Sequence, residues 1–132
     1  MPRRAPARTP RAHSLPRRSP TQRVGDVAEA TALRFLLARG LQLLARNVSS
    51  PLGEIDLVLR DGEQWVFVEV RMRRSDRFGG ALASVTPSKQ RRVRLQAQRV
   101  LKSQFGDHAW PACRFDVCAV HGEQVDWVRD AF

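Results

Sequence analysis

A chain of 132 residues, 42% of them hydrophobic, is long enough for one domain with a core of its own. Its 23 Lys and Arg against 13 Asp and Glu leave a formal charge of +10, which favours polyanionic partners, because each phosphate neutralised releases a condensed counterion. No apolar run approaches the about 18 residues needed to cross a bilayer, and no secretory signal core is visible, so the expectation is a cytoplasmic protein with no membrane partner.

Residues 1–22 hold Arg3, Arg4, Arg8, Arg11, Arg17 and Arg18, five prolines and no acid, a composition that cannot bury enough surface to offset its ordering entropy. They read as a disordered Arg/Pro-rich arm ahead of a domain spanning 23–132. Six of the ten net charges belong to the arm, so the domain carries the other four and is itself basic. Nucleic acid is the leading partner for such an arm and a solubilising tail the alternative; a transit peptide is disfavoured because its prolines spoil an amphipathic helix.

From Val24 to Arg39, apolar residues recur at Val24, Val27, Ala28, Thr31, Phe35 and Ala38, with Ala32, Leu33 and Leu36 alongside, the spacing of a helix closed by Gly40. Leu41–Val48 reads as a strand, followed by breakers at Ser49, Ser50, Pro51 and Gly53. Strands over Glu54–Arg60 and Gln64–Arg71 form a hairpin around Asp61-Gly62. Arg73–Val85 reads as a loop, and Thr86 before Pro87 starts a second helix with Val93, Ala97, Val100 and Leu101 inward, ending near Phe105-Gly106. That helix carries Lys89, Arg91, Arg92, Arg94, Arg99 and Lys102 with no acid between Thr86 and Phe105, and these are the candidate phosphate contacts. Two strands, Cys113–Val120 and Gln124–Arg129, are joined at His121-Gly122. The order α-β-β-β-α-β-β predicts an α/β fold, a mixed sheet flanked by helices.

Cys113 and Cys118 stand on one strand, about 16 Å apart at 3.3 Å per residue and on opposite faces, so they cannot bridge. The same geometry stops them from sharing a zinc ion with His108 and His121; two buried thiols are expected.

Chemistry concentrates in Gly53-Glu54-Ile55-Asp56-Leu57 and Phe67-Val68-Glu69-Val70-Arg71. Asp56 on one hairpin strand and Glu69-x-Arg71 on the next bring two carboxylates and a cation together, while Val66, Val68 and Val70 mark the other face as buried. Acids within apolar strands are costly unless paired or bound to metal. Asp56, Glu69 and the carbonyl of Val70 suit a hard cation such as Mg²⁺, with Mn²⁺ as a substitute, which would polarise a phosphate and activate a water. From spacing alone, a hairpin whose acids are merely solvated or salt-bridged explains the pattern at least as well. Glu54 reads first as a solvated acid beside a turn, Asp116 as bonded to the sheet end rather than to Arg71, and Trp65 as sheet packing rather than a base-stacking platform.

Gly25-x-x-Ala28-Glu29-x-x-Ala32, Phe35-Leu36, Gly40, Arg46-Asn47, the two acidic strand motifs through Arg73, Arg114-Phe115-Asp116-Val117 and Ala131-Phe132 resemble the bacterial YraN family, uncharacterised protein family 0102. The likeness covers about residues 23–132. It implies the PD-(D/E)XK superfamily, with a core similar to restriction endonucleases and Holliday-junction resolvases, metal-dependent phosphodiesterase ancestry and, by analogy with resolvases, a homodimer. Carried over by position, Asp56 and Glu69 match the metal-binding acids, Arg71 the superfamily lysine, and Glu29 the helix-borne acid. Ala28 stands where glycine is usual. Arg71 is the larger departure, because arginine stays protonated and can only orient or stabilise negative charge. Proton acceptance then falls to Glu29 or to the metal-held water itself.

Three functions follow. The first is a Mg²⁺-dependent endonuclease or resolvase-like enzyme on structured or single-stranded DNA, with association with the nucleoid as a corollary. The second is a non-catalytic DNA- or RNA-binding module that keeps a vestigial site. The third is a small basic protein of the ribosome or other RNA.

Overall fold

The computed structural model describes residues 20–73 and 78–132, so most of the expected arm lies outside the described residues. Helix α1 (Pro20–Ala38) begins three residues before the expected domain boundary, with a proline in the first turn, where its missing N–H costs nothing. Strands β1 (Gln42–Ser50), β2 (Gly53–Asp61) and β3 (Gln64–Met72) follow. Next come α2 (Phe78–Ala83), α3 (Pro87–Phe105), β4 (Cys113–His121) and β5 (Gln124–Val128). Helix α2 corrects the expected loop over Arg73–Val85; its six residues FGGALA are too few and too glycine-rich for a periodicity to be visible.

The five strands form one sheet in the order β1-β2-β3-β4-β5. All neighbours are antiparallel except β3 and β4, which run parallel because α2 and α3 form the crossover between them. Each hairpin closes on two residues, Gly62-Glu63 and Gly122-Glu123, with the positive φ on the glycine, one position later than the pairs read from sequence.

Strand alternation divides the core between two faces. Leu57, Leu59, Val66, Val68, Cys118 and Val120 meet Ala28, Ala32, Leu33 and Leu36 of α1. Ile55, Val58 and Phe67 meet Val93, Ala97 and Leu101 of α3 on the other. Within α1 the buried stripe is Ala28, Ala32 and Leu36 rather than the expected row through Val27 and Ala38: Val27 is 66% exposed and Ala38 is exposed. Helix α3 keeps the predicted start and end. Thr86 Oγ1 accepts the Lys89 N–H at 3.2 Å, Pro87 occupies the first turn, and Gly106 takes φ 60° at the end. Cys118 is buried, its thiol pushed up to about 12 by burial, but Cys113, at the start of β4, is exposed, which corrects the expectation of two buried thiols.

Asp116, fully buried in β4, ties the sheet to the chain's last turn. Its carboxylate accepts the Arg114 Nε–H at 3.1 Å, the Trp127 Nε1–H at 2.9 Å and the Asp130 N–H at 2.9 Å. It is bonded within the β4–β5 end of the sheet, as expected. Asp116→Ala removes the acceptor of the Arg114 Nε–H, the Trp127 Nε1–H and the Asp130 N–H, while Arg114 keeps Asp61 and Gln64, so a loss of about 2–4 kcal/mol is expected in urea unfolding; a loss under about 1 kcal/mol would show that water replaces the carboxylate.

Candidate functional site

The acidic site forms where two strand pairings fail together. Between β1 and β2 the partners run Ala45–Val58, Arg46–Leu57 and then Val48–Ile55, so the ladder passes over Asn47 and Asp56. Asn47 has φ 51°, the left-handed conformation that asparagine tolerates better than most residues. Alternation breaks in both strands there: Ala45 and Val48, three apart, share the α3-side cluster, as do Ile55 and Val58. Between β2 and β3 the last partners are Leu57 and Val68. Beyond them the Val70 N–H has no partner on β2's backbone and donates instead to Asp56 Oδ2 at 2.8 Å.

Carboxylates from three elements gather in this fork. Single oxygens of Glu29, Glu54 and Asp56 lie within 4.8 Å of one another, and Glu69 is near enough for Asp56 to raise its pKa. Glu29 comes from α1 and is buried; the Asn47 amide, its nitrogen facing α1, donates to both Glu29 oxygens at 3.0 Å. Glu69 is 3% exposed, and its Oε2 is buried without a hydrogen-bond partner. Arg71, two residues on, likewise has a buried Nε with none. Lys89 reaches in from α3, its Nζ 3.8 Å from Glu69 Oε1.

Burial and mutual repulsion hold protons on these acids. Glu69 is raised to about 9, by desolvation first and then by Asp56, against the lowering influence of Lys89 and Arg71. Glu29 is raised to about 7 by desolvation and the Asp56 charge, with the Asn47 hydrogen bond opposing. Such a cluster can either keep protons or exchange them for a divalent cation bound through oxygen.

Of the residues expected at the site, Asp56, Glu69, Arg71 and Glu29 are brought together. Val70 contributes its N–H to Asp56, and its side chain packs on the α1-side core. Glu54 is exposed, as expected of a solvated acid, and one of its oxygens also joins the cluster. Asn47 and Lys89 were not expected here: Asn47 figured only in a motif and Lys89 only as a groove contact. Their signals, an asparagine within a strand and a lysine in a helix's first turn, become specific once the strands are paired. Trp65 packs edge-on against Phe105, 5.3 Å between ring centroids, as sheet packing requires. Arg91, Arg92, Arg99 and Lys102 are exposed along α3, while the Arg94 guanidinium lies over the Phe115 and Phe132 rings. No helix among the described residues is long and apolar enough to cross a membrane.

A mixed sheet flanked by helices, with a carboxylate cluster where two central strands part, defines an α/β protein with an acidic site. The model of Uncharacterised protein family UPF0102 matches residues 28–120. UPF0102 protein RSc3265 of Ralstonia nicotianae is 54% identical over 112 residues, 82% of this chain and 85% of that protein. UPF0102 protein YraN of Escherichia coli is 46% identical over 126 residues, 96% of each chain. The chain belongs to uncharacterised protein family UPF0102.

The raised carboxyls give a stability signature. A group whose folded pKa exceeds its unfolded value near 4.5 stabilises the fold below that value, and the contribution is lost as pH rises through 7 for Glu29 and 9 for Glu69. In EDTA the melting temperature is expected to fall from pH 5 to pH 9, and Glu69→Gln to flatten the upper part of that decline. A melting temperature that holds steady or climbs over this range in the wild type would mean the cluster is already ionised.

Proposed function

We propose that this protein is a nucleic-acid-binding, divalent-metal-dependent phosphodiesterase, an endonuclease or resolvase-like enzyme acting on DNA, on a restriction-endonuclease-like core. The observation that carries the proposal is the unpartnered, buried Glu69 Oε2 beside the clustered oxygens of Glu29, Glu54 and Asp56. An acid strand position would be cheaper as valine, and an orphaned carboxylate oxygen at 3% exposure calls for a ligand that supplies positive charge. The all-oxygen donor set fits Mg²⁺ or Mn²⁺ and does not suit a soft metal. Asp56, Glu54 and Glu29 would hold the ion with Glu69 next to it. The chemistry such an ion supplies is polarisation of a phosphate and acidification of a nearby water.

The chain's own residues supply the rest. Glu29, held by the Asn47 amide, is fixed in place as one of the oxygen donors. Arg71 can stabilise charge developing on phosphate but cannot act as a base. The one-signed helix α3 and the arginines of residues 1–22 grip backbone phosphates without reading bases.

Purified protein is expected to cut branched, flapped or single-stranded DNA in Mg²⁺ or Mn²⁺ and not in EDTA. Asp56→Asn should abolish cleavage while leaving DNA binding equal or tighter, since a negative charge near phosphate is removed. Equal cleavage by mutant and wild type would exclude the site. The departure at Arg71 favours a second reading, a DNA- or RNA-binding module with a vestigial site; salt-sensitive binding with no cleavage in any divalent metal would establish it.

A further inference from the structure

Arg71 gives the acidic site a cation that cannot surrender its proton and whose Nε is buried without a partner. A second cation arrives from the opposite layer. Lys89 stands in the first turn of α3, its N–H capped by Thr86 Oγ1 and the turn fixed by Pro87, so its starting direction is set by the backbone. The helix start is also seated against the acidic strand. A side chain at Gly53 would meet the Arg92 Cβ at 3.2 Å, and Gly53 has φ 154°, so glycine allows this close approach one residue from Glu54.

From that position Lys89 spans to the end of β3, where Nζ lies 3.8 Å from Glu69 Oε1. This is an ion-pair separation, longer than a charge-assisted hydrogen bond. The Lys89 side chain is 35% exposed while that of Glu69 is 3% exposed, so the ammonium bridges a buried carboxylate and the open side of the cluster. An ammonium has three donors, and Glu69 engages it only at this distance. The other cations of α3 are placed differently: Arg94 is drawn over the Phe115 and Phe132 rings, 5.9 and 5.5 Å from their centroids, and Arg99 is exposed two turns and more further along the helix.

We infer that Lys89 is a substrate-contacting residue of the acidic site, its ammonium held against Glu69 and engaging a non-bridging oxygen of the phosphate brought to the carboxylate cluster. It is thereby distinct from the other cations of α3, and it sets a second cation beside Arg71 at the acidic site. The inference rests on the phosphodiesterase reading above.

Ca²⁺ serves as the probe metal, and affinity for a fluorescent single-stranded oligonucleotide is measured in Ca²⁺ and in EDTA, with the melting temperature confirming that each variant folds. The wild type should bind about 10-fold tighter in Ca²⁺, because a metal bridges acids and phosphate. Lys89→Met should lose most of the Ca²⁺ gain, beyond whatever affinity it loses in EDTA, and Lys89→Arg should recover part of it. Arg99→Met should weaken binding in both conditions alike and lower the salt slope by about 0.7. In Mg²⁺, Lys89→Met should lower kcat/KM about 100-fold. An undiminished Ca²⁺ gain in Lys89→Met overturns the inference and leaves the phosphodiesterase reading standing. A wild type with neither a Ca²⁺ gain nor cleavage in Mg²⁺ overturns both.

Discussion

Beyond Leu57 and Val68, the hydrogen-bonded ladder joining β2 to β3 gives way to a side chain: Asp56 takes the Val70 N–H that a backbone carbonyl would otherwise receive. The neighbouring ladder between β1 and β2 skips the same residue. A sheet normally separates its two layers, since each strand residue faces one side or the other. Where the β2–β3 ladder stops and the β1–β2 ladder skips, that separation lapses, and Glu29 from the α1 layer lies by Asp56 while Lys89 from the α3 layer lies by Glu69. The site depends on this gap, and the gap depends on one left-handed asparagine opposite one aspartate.

Burial and the neighbouring Asp56 charge make Glu29 and Glu69 costly to ionise. Lys89 and Arg71 offset part of the charge, and protons offset more, which is why Glu29 and Glu69 sit far above ordinary carboxylates. A divalent cation would compete with those protons for the same oxygens, so its affinity should strengthen as pH rises. The protonated, metal-free cluster therefore acts as a reservoir of charge capacity. Stability favours the protons, and a cation bound there would release them, a tension expected where a polar site is kept inside an apolar frame.

Much of the frame was legible because local rules govern it. Thr86-Pro87 fixed the start of α3, Gly106 its end, and the glycine turns fixed both hairpins. Asp56 and Glu69 stood out because acids within valine-rich strands are expensive. Glu54, Asn47 and Lys89 did not stand out, since strict alternation assigns Glu54 to a turn margin and gives no hint that the β1–β2 ladder skips a position. That skip is a property of two strands together and is carried by no periodicity in either. Helix α2 and the exposed Cys113 were missed for related reasons: one is too short for a helical period, and the other lies at the first position of a strand whose burial begins three residues later.

The one-signed helix α3 shows how misleading a count of charges can be. Read as a sequence, its basic residues form an undivided phosphate-binding face. In the fold they sort by angular position around the axis. Those on one flank, Lys89 and Arg92, lie against the acidic strand; Arg94, on the other flank, covers the aromatic rings that seat Phe132; the rest face solvent. The net charge speaks for long-range attraction to polyanions, but what happens after encounter depends on which ammonium or guanidinium reaches the carboxylates. A helix whose cap and proline fix its first turn can place one lysine at a buried site while other cations stay in solvent, so long-range charge and contact with the acidic site belong to different residues of the same element.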